Sequence, residues 1–150
     1  MTTLTVSDIA QRVQKPGEKL RIAADRVRNW TKEGLLKPIG DIHPGTGRKK
    51  QYSEKAAIRA MILQAISDAT GGRAVYLAHM IEHVEAHLRK HQGQREIIFA
   101  ISRKAGGGGK FVLSSWLAKD FGQGILESTA DIHIVLNPNR IFDAMDKAGD

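Results

Sequence analysis

The chain has 150 residues, 41% of them hydrophobic and 26% charged, with no cysteine and a formal charge of +7. That balance excludes a disordered chain, a disulfide scaffold and thiolate metal chemistry, and it fits one ordinary domain or two small ones. There is no run of about 18 apolar residues, so no spanning helix is expected. The first residues, "MTTLTVSDIAQ", have neither a basic start nor an apolar core, so no secretory leader is expected and a cytoplasmic, nucleoid-associated place is. The charge is lopsided. Residues 1–70 hold 13 Lys and Arg against 7 Asp and Glu, and residues 71–150 hold 10 against 9. A basic first part predicts a polyanionic partner there, double-stranded DNA before others, because Lys and Arg contacts to phosphate dominate such binding.

Taken in chain order, "TVSDIAQRV" (5–13) predicts a short helix, with Ile9 and Val13 one turn apart and Ser7 or Thr5 able to cap its start. The Pro and Gly of "QKPGEK" (14–19) break it. A second helix is expected from Glu18 to Lys32, since Leu20, Ala23, Ala24, Val27 and Trp30 follow the helical period, and Gly34 sits where a left-handed cap belongs. The Pro and Gly of residues 35–53 prevent a helix there. Ile39, Ile42 and Tyr52 are expected to anchor two short strands around a basic tip, "PGTGRKK". Residues 53–69 predict the clearest helix, with Ser53 as cap and Ile58, Met61, Ile62, Ala65 and Ile66 as its apolar stripe.

"TGGR" (70–73) marks a boundary, giving domains of 1–70 and 71–150. Residues 74–93 predict a long helix ended by Gly93, with Leu77, Met80, Ile81, Val84 and Leu88 as its stripe. "REIIFAISR", "KFVLSSWL" and "DIHIVLN" are strand-like. "PNRIFDAMDKA" closes the chain as a helix, with Asn137 as cap and Pro138 in the first turn. The expected class is α+β: a winged helix-turn-helix, a long linking or dimerisation helix, then a small three-stranded sheet with a terminal helix.

The stretch "RVRNWTKEGLLKP" (26–38) resembles the second helix and exit of the MerR family of winged helix-turn-helix regulators. Arg28 stands at the family's Arg, Trp30 at its second aromatic, and Gly34, Leu35, Leu36 and Pro38 at its exit. "TVSDIAQRV" is similar to the family's first helix. "RKKQYSEKAAIRAMIL" is similar to its wing strand and following helix, with Lys50 at the wing Arg and Tyr52 at the closing Tyr. The resemblance covers residues 4 to about 68. Two departures stand out: the segment between Ala10 and Arg28 is longer than the family's, and Asn29 replaces the first aromatic.

The resemblance implies a sequence-specific transcriptional regulator, homodimeric through the helix after residue 74 and the C-terminal unit, on a palindromic operator bent or untwisted on binding. Its DNA-binding residues are expected to be Arg21, Arg26, Arg28, Asn29 and Lys32 on the major-groove helix, with Arg48, Lys49, Lys50 and Tyr52 on or beside a wing that grips the backbone. Trp30 and Tyr52 also read as core packing, and Arg28 also reads as an intrahelical partner of Asp25 or Glu33. Three alternatives stay open. One is an excisionase-like architectural factor on the same fold, another is a ligand or metal sensor working through the C-terminal domain, and the third is a protein-interaction module without DNA affinity.

Catalysis has no positive sign. "GGGG" (106–109) with Lys110 lacks the Ser or Thr of a phosphate loop, since Phe111 follows, and reads as a hairpin loop. No cofactor, membrane partner or particular effector is implied. His79, His83, His87 and His91 recur at a spacing of four. The row drifts about 40° around the helix at each step, which sets His87 and His91 at the edge of the apolar stripe and His79 and His83 on the polar face. His83, His87 and His91 are the minor candidates for a metal, which would need more ligands from near Glu82, from His133 or from a second subunit. A polar border on an interface helix is the preferred reading, with a proton-sensitive contact behind it.

Overall fold

The computed structural model describes residues 3–40, 49–71, 74–103, 111–127, 132–136 and 138–148. The fold is α+β, with six α-helices and two small antiparallel sheets among the described residues. Two compact units divide the chain, Met1–Ile81 with Ala148–Asp150, and Glu82–Lys147. The division falls inside a helix.

The first unit opens with a strand the periodicity does not announce, β1 (Leu4–Thr5). Two residues are too few to show a period of two. Thr5 ends the strand and caps helix α1 (Val6–Val13): its hydroxyl accepts from Asp8 N, and the Asp8 carboxylate accepts from Thr5 N at 2.7 Å. This reciprocal pair satisfies two backbone donors that a helix start leaves open. It also holds the Asp8 carboxyl below its ordinary range, the Thr5 backbone bond contributing most. Ile9, Ala10 and Val13 are buried, as the spacing of four requires.

Helix α2 runs Leu20–Lys32, two residues shorter at its start than the periodicity suggests. Glu18 stays outside because its carboxylate is taken by Arg26, at 2.8 Å from both guanidinium nitrogens, and by the Lys15 amide. The long segment before Arg28 contains no additional helix: Gln14–Lys19 is a turn, and the rest of it extends α2. Gly34, at φ 76°, lets the chain reverse so that Leu35 and Leu36 donate back to the Trp30 carbonyl. Arg59 Nε donates to the Leu35 carbonyl at 2.8 Å and ties this exit to the third helix.

β2 (Gln51–Tyr52) pairs antiparallel with β1, Tyr52 opposite Leu4. Ile39 makes a single bridge to Gln51. At 49% exposure Ile39 is not the core anchor the sequence suggests; Tyr52 is fully buried, and Ile42 lies outside the described residues. Helix α3 (Glu54–Thr70) starts on Ser53, whose hydroxyl accepts from Ala56 N. Its buried surface is wider than the expected stripe. Ala56, Ala57, Ala60, Leu63 and Gln64 are buried with Ile58, Ile62 and Ile66, while Met61 and Ala65 are only half-buried. α1 packs on both α2 and α3. Arg12 fixes α1 to the start of α3 through a two-point pair with Glu54, at 2.5 and 2.9 Å.

Helix α4 (Ala74–Lys90) ends three residues before Gly93 in a turn. Its described stripe, Met80, Ile81, Val84 and Leu88, is buried as its spacing requires. In the second unit β3 (Ile97–Arg103) lies between β4 (Phe111–Leu117) and β5 (Ile132–Leu136), antiparallel to both. A central strand covered on both faces explains why "IIFAIS" shows no alternation: Phe99, Ala100, Ile101 and Ser102 are all buried in succession. A 3₁₀ turn (Ala118–Asp120) and helix α5 (Phe121–Glu127) follow β4. Neither is legible in advance, because Gly122 and Gly124 argue against a helix there.

Helix α6 (Asn139–Ala148) begins after Pro138, whose carbonyl accepts from Ile141 N and Phe142 N. Asn137, its expected cap, lies outside the described residues, as does "GGGG". Phe142 is buried edge-on to Phe99, and Arg95 closes over Phe142 while bonding Asp143 and Asp146 at 2.7 and 2.6 Å. Among the described residues no helix is long and apolar enough to cross a membrane.

Candidate nucleic-acid interface

Helix α2 divides cleanly around its circumference. Ala23, Ala24, Val27, Trp30 and Thr31 are buried, while Arg21, Ile22, Asp25, Arg28, Asn29, Lys32 and Glu33 are exposed. At 100° per residue the exposed set fills one unbroken arc of about 140° from Arg28 to Glu33. α1 and the core hold the opposite side, so this arc is the surface a partner would meet.

Within the arc the guanidinium of Arg28 bonds the Asp25 carboxylate at 2.6 Å, and Arg21 approaches the same carboxylate at 4.0 Å. Asp25 thus gathers two arginines one turn to either side of it. Both pairs are open to solvent, Arg21 having 91% of its side chain exposed and Arg28 59%. Such pairs contribute about 0–1 kcal/mol, so either arginine exchanges its partner easily for a phosphate or a base edge. Asn29 and Lys32 complete the polar part of the face.

Arg26 behaves differently. Its side chain is 19% exposed, its two terminal nitrogens hold Glu18, one of them also reaches the Val13 carbonyl at 3.2 Å, and the guanidinium lies 6.0 Å from the centre of the Trp30 ring. This is a clamp across the turn between α1 and α2, placed just beyond the Glu33 edge of the exposed arc. The clamp drives the Glu18 carboxyl down to about 2, the Arg26 bond contributing most. Tyr52 is likewise internal, with no exposed surface and its hydroxyl 2.8 Å from Thr31 Oγ1. A phosphate has no path to that hydroxyl, so Tyr52 belongs to the core reading and not to the contact surface. Trp30, 4% exposed, is core as well.

The Thr31–Tyr52 contact sets the relation between α2 and the basic segment, because Lys49 and Lys50 lie within three residues of Tyr52. Lys49 is exposed and Lys50 half-buried, while Arg48 and the tip before it lie outside the described residues. Ile22 is the residue the sequence reading passes over. It is 53% exposed among charged neighbours, and the signal for it was available: it is the one large apolar residue of α2 that falls off the buried period.

Among the described residues, the histidines of α4 and of the turn after it form no comparable site. His83 is exposed. His87 and His91 lie with ring centres 4.8 Å apart, both edge-on to Phe99 at 5.1 and 6.0 Å, and His91 Nδ1 meets Gln94 Oε1 at 2.9 Å. His87 Nε2 is buried without a partner, and burial lowers the pKa of the ring, with His91 and then Lys90 adding to the effect. Among the described residues no three His, Cys, Asp or Glu side chains gather for a metal; the side chains of His79 and His133 lie outside them. The chain matches no protein-family model and no curated protein sequence.

Proposed function

We propose that the chain is a DNA-binding transcriptional regulator of winged helix-turn-helix type, with α2 as the helix that enters the major groove and the segment carrying Lys49 and Lys50 as the grip on the backbone beside it. The observation that carries this reading is the exposed arc of α2. Arg21, Arg28, Asn29 and Lys32 stand together on one face, while the buried residues of the helix lie on the other. Arg28 can present a two-point fork to guanine or to phosphate, and Asn29 can do the same for adenine. The antiparallel pairing of β1 with β2, and the Tyr52–Thr31 bond, support a fixed distance between this helix and Lys49. Arg26 and Tyr52 serve the same function indirectly by keeping α2 seated.

A single module of this size gives little groove contact, so the working form is a homodimer on a two-fold operator. Salt-titrated fluorescence anisotropy on random duplex DNA tests the reading. Binding at about 50 mM salt that weakens steeply as salt rises is expected, because each neutralised phosphate releases a counterion. Lys49→Glu with Lys50→Glu weakens binding to every sequence alike, whereas Arg28→Ala also relaxes selectivity among sequences selected from genomic fragments. Absence of binding at low salt overturns the reading.

A further inference from the structure

Ile22 has 53% of its surface in water, on the arc that also carries Arg21, Arg28, Asn29 and Lys32. About half of this β-branched side chain is left in water, where apolar surface costs hydration. Residues 22 and 29 are separated by seven positions, so they lie within about 20° of each other around α2 and roughly two turns apart along it. The exposed arc therefore has two edges. One, with Arg28, Arg21 and Lys32, is cationic. The other carries Ile22 and Asn29, an apolar surface and a carboxamide, and ends at Glu33, which lies roughly 16 Å along the helix from Ile22.

Those two uncharged groups have matching counterparts on one kind of base pair. In the major groove an A·T pair offers the adenine N6 and N7 atoms, which fit a carboxamide, and the thymine 5-methyl group, the apolar surface that an aliphatic side chain can cover. G·C pairs offer no such methyl. The cationic edge of the same helix supplies charge complementarity to the phosphates that flank the groove, which makes duplex DNA the occupant for this face rather than an apolar protein surface.

We infer that Ile22 is a specificity-determining residue that packs against thymine methyl groups, and with Asn29 biases the protein toward A·T-containing sites. The assignment rests on the DNA-binding reading above. It adds a chemical identity for the target that the cationic residues, which also serve phosphate, do not supply. Covering one methyl group is worth about a three- to fourfold change in affinity.

Replacing thymine by uracil removes that methyl and leaves every hydrogen-bonding group of the pair in place. The test measures binding of the full chain to poly(dA-dT), poly(dA-dU) and poly(dG-dC) duplexes at one salt concentration, for the native sequence and for Ile22→Ala. Because Ile22 is 53% exposed, Ile22→Ala is expected to lower Tm only slightly, and circular dichroism verifies its fold. Expected is a loss of at least threefold from poly(dA-dT) to poly(dA-dU) in the native chain that disappears in Ile22→Ala. Equal affinity of the native chain for both duplexes overturns the inference while leaving the regulator reading intact. A methyl preference that persists in Ile22→Ala overturns the assignment to this residue. Failure to bind any of the three duplexes overturns the regulator reading and the inference together.

Discussion

The hydroxyl groups of Thr31 and Tyr52 lie 2.8 Å apart, and Thr31 also lies 2.9 Å from the Val27 carbonyl, to which it donates. A threonine hydroxyl has one proton, so the proton between the two side chains belongs to Tyr52. The two partners are therefore not equivalent. Tyr52→Phe leaves Thr31 bonded to its helix and is expected to cost about 1 kcal/mol. Thr31→Val strands a buried phenolic donor and is expected to cost more, about 1–3 kcal/mol. Urea unfolding of the two single variants and the double variant checks this. The order should be Thr31→Val below Tyr52→Phe in stability, with the double variant losing less than the sum.

Arg26 and Arg28 are two residues apart on α2 and separate stability from binding. Arg26 holds Glu18 and the Val13 carbonyl. Its removal leaves Glu18, only 12% exposed, without its counter-charge. Arg26→Ala is expected to lose about 1–3 kcal/mol in urea unfolding. Arg28 has a solvent-open pair with Asp25, and Arg28→Ala is expected to change stability by less than about 0.5 kcal/mol. On the DNA-binding reading proposed above the order is expected to reverse, with Arg28→Ala lowering affinity more than Arg26→Ala at temperatures where both variants are folded. A larger stability loss in Arg28→Ala than in Arg26→Ala contradicts this division of roles.

Much of this was legible in the sequence, and the reasons are physical. Helical periods and caps are local, so α1, α3, α4 and α6 sit close to their expected limits, and Gly34 closes α2 as its position suggests. The basic face of α2 is legible for the same reason, since the buried period fixes which side chains must point outward. What pairs across the chain is not local. Arg26 looks like its neighbours until Glu18, eight residues away, takes its guanidinium, and Tyr52 looks available until Thr31 meets it. β1 escapes notice because it is an edge of two residues whose partner lies nearly fifty residues on.

Helix α5 depends on a close approach. A Cβ on Gly124 would overlap the indole of Trp116, whose ring also meets Phe121 edge-on at 5.8 Å. The indole is rigid and cannot yield as a flexible chain would. Gly124→Ala is therefore expected to destabilise the second unit by about 1–3 kcal/mol, despite the better helix propensity of Ala. Gly122, in the same helix, has open space where a Cβ would go, and Gly122→Ala is expected to be neutral or stabilising by up to about 1 kcal/mol. Thermal unfolding followed by tryptophan fluorescence distinguishes the pair. Equal effects of the two substitutions would show that α5 does not rest on Trp116.

Two groups give the stability two separate responses to acid. The buried, unpartnered Nε2 of His87 makes its folded state resist the proton, so its pKa lies below the ordinary 6.5. The groups that act on the ring are Lys90 at the end of its own helix, His91 in the turn that follows and the uncharged Phe99 on β3, none of which welcomes a positive charge there. Between the folded and unfolded values the unfolded chain binds the proton that the folded chain refuses. Stability is therefore full above about pH 6.5 and falls as pH drops below it. Glu18 acts later. Its carboxyl is held at about 2 against an ordinary 4.5, so its contribution persists to about pH 4.5 and is lost as pH falls through about 2. Urea midpoints measured from about pH 7.5 to 5 are expected to decline in the native chain and to stay nearly flat in His87→Leu, which has no ring to protonate. A decline of the same size in His87→Leu would assign the first response to another group, and the clamp between Glu18 and Arg26 should be unaffected throughout that range.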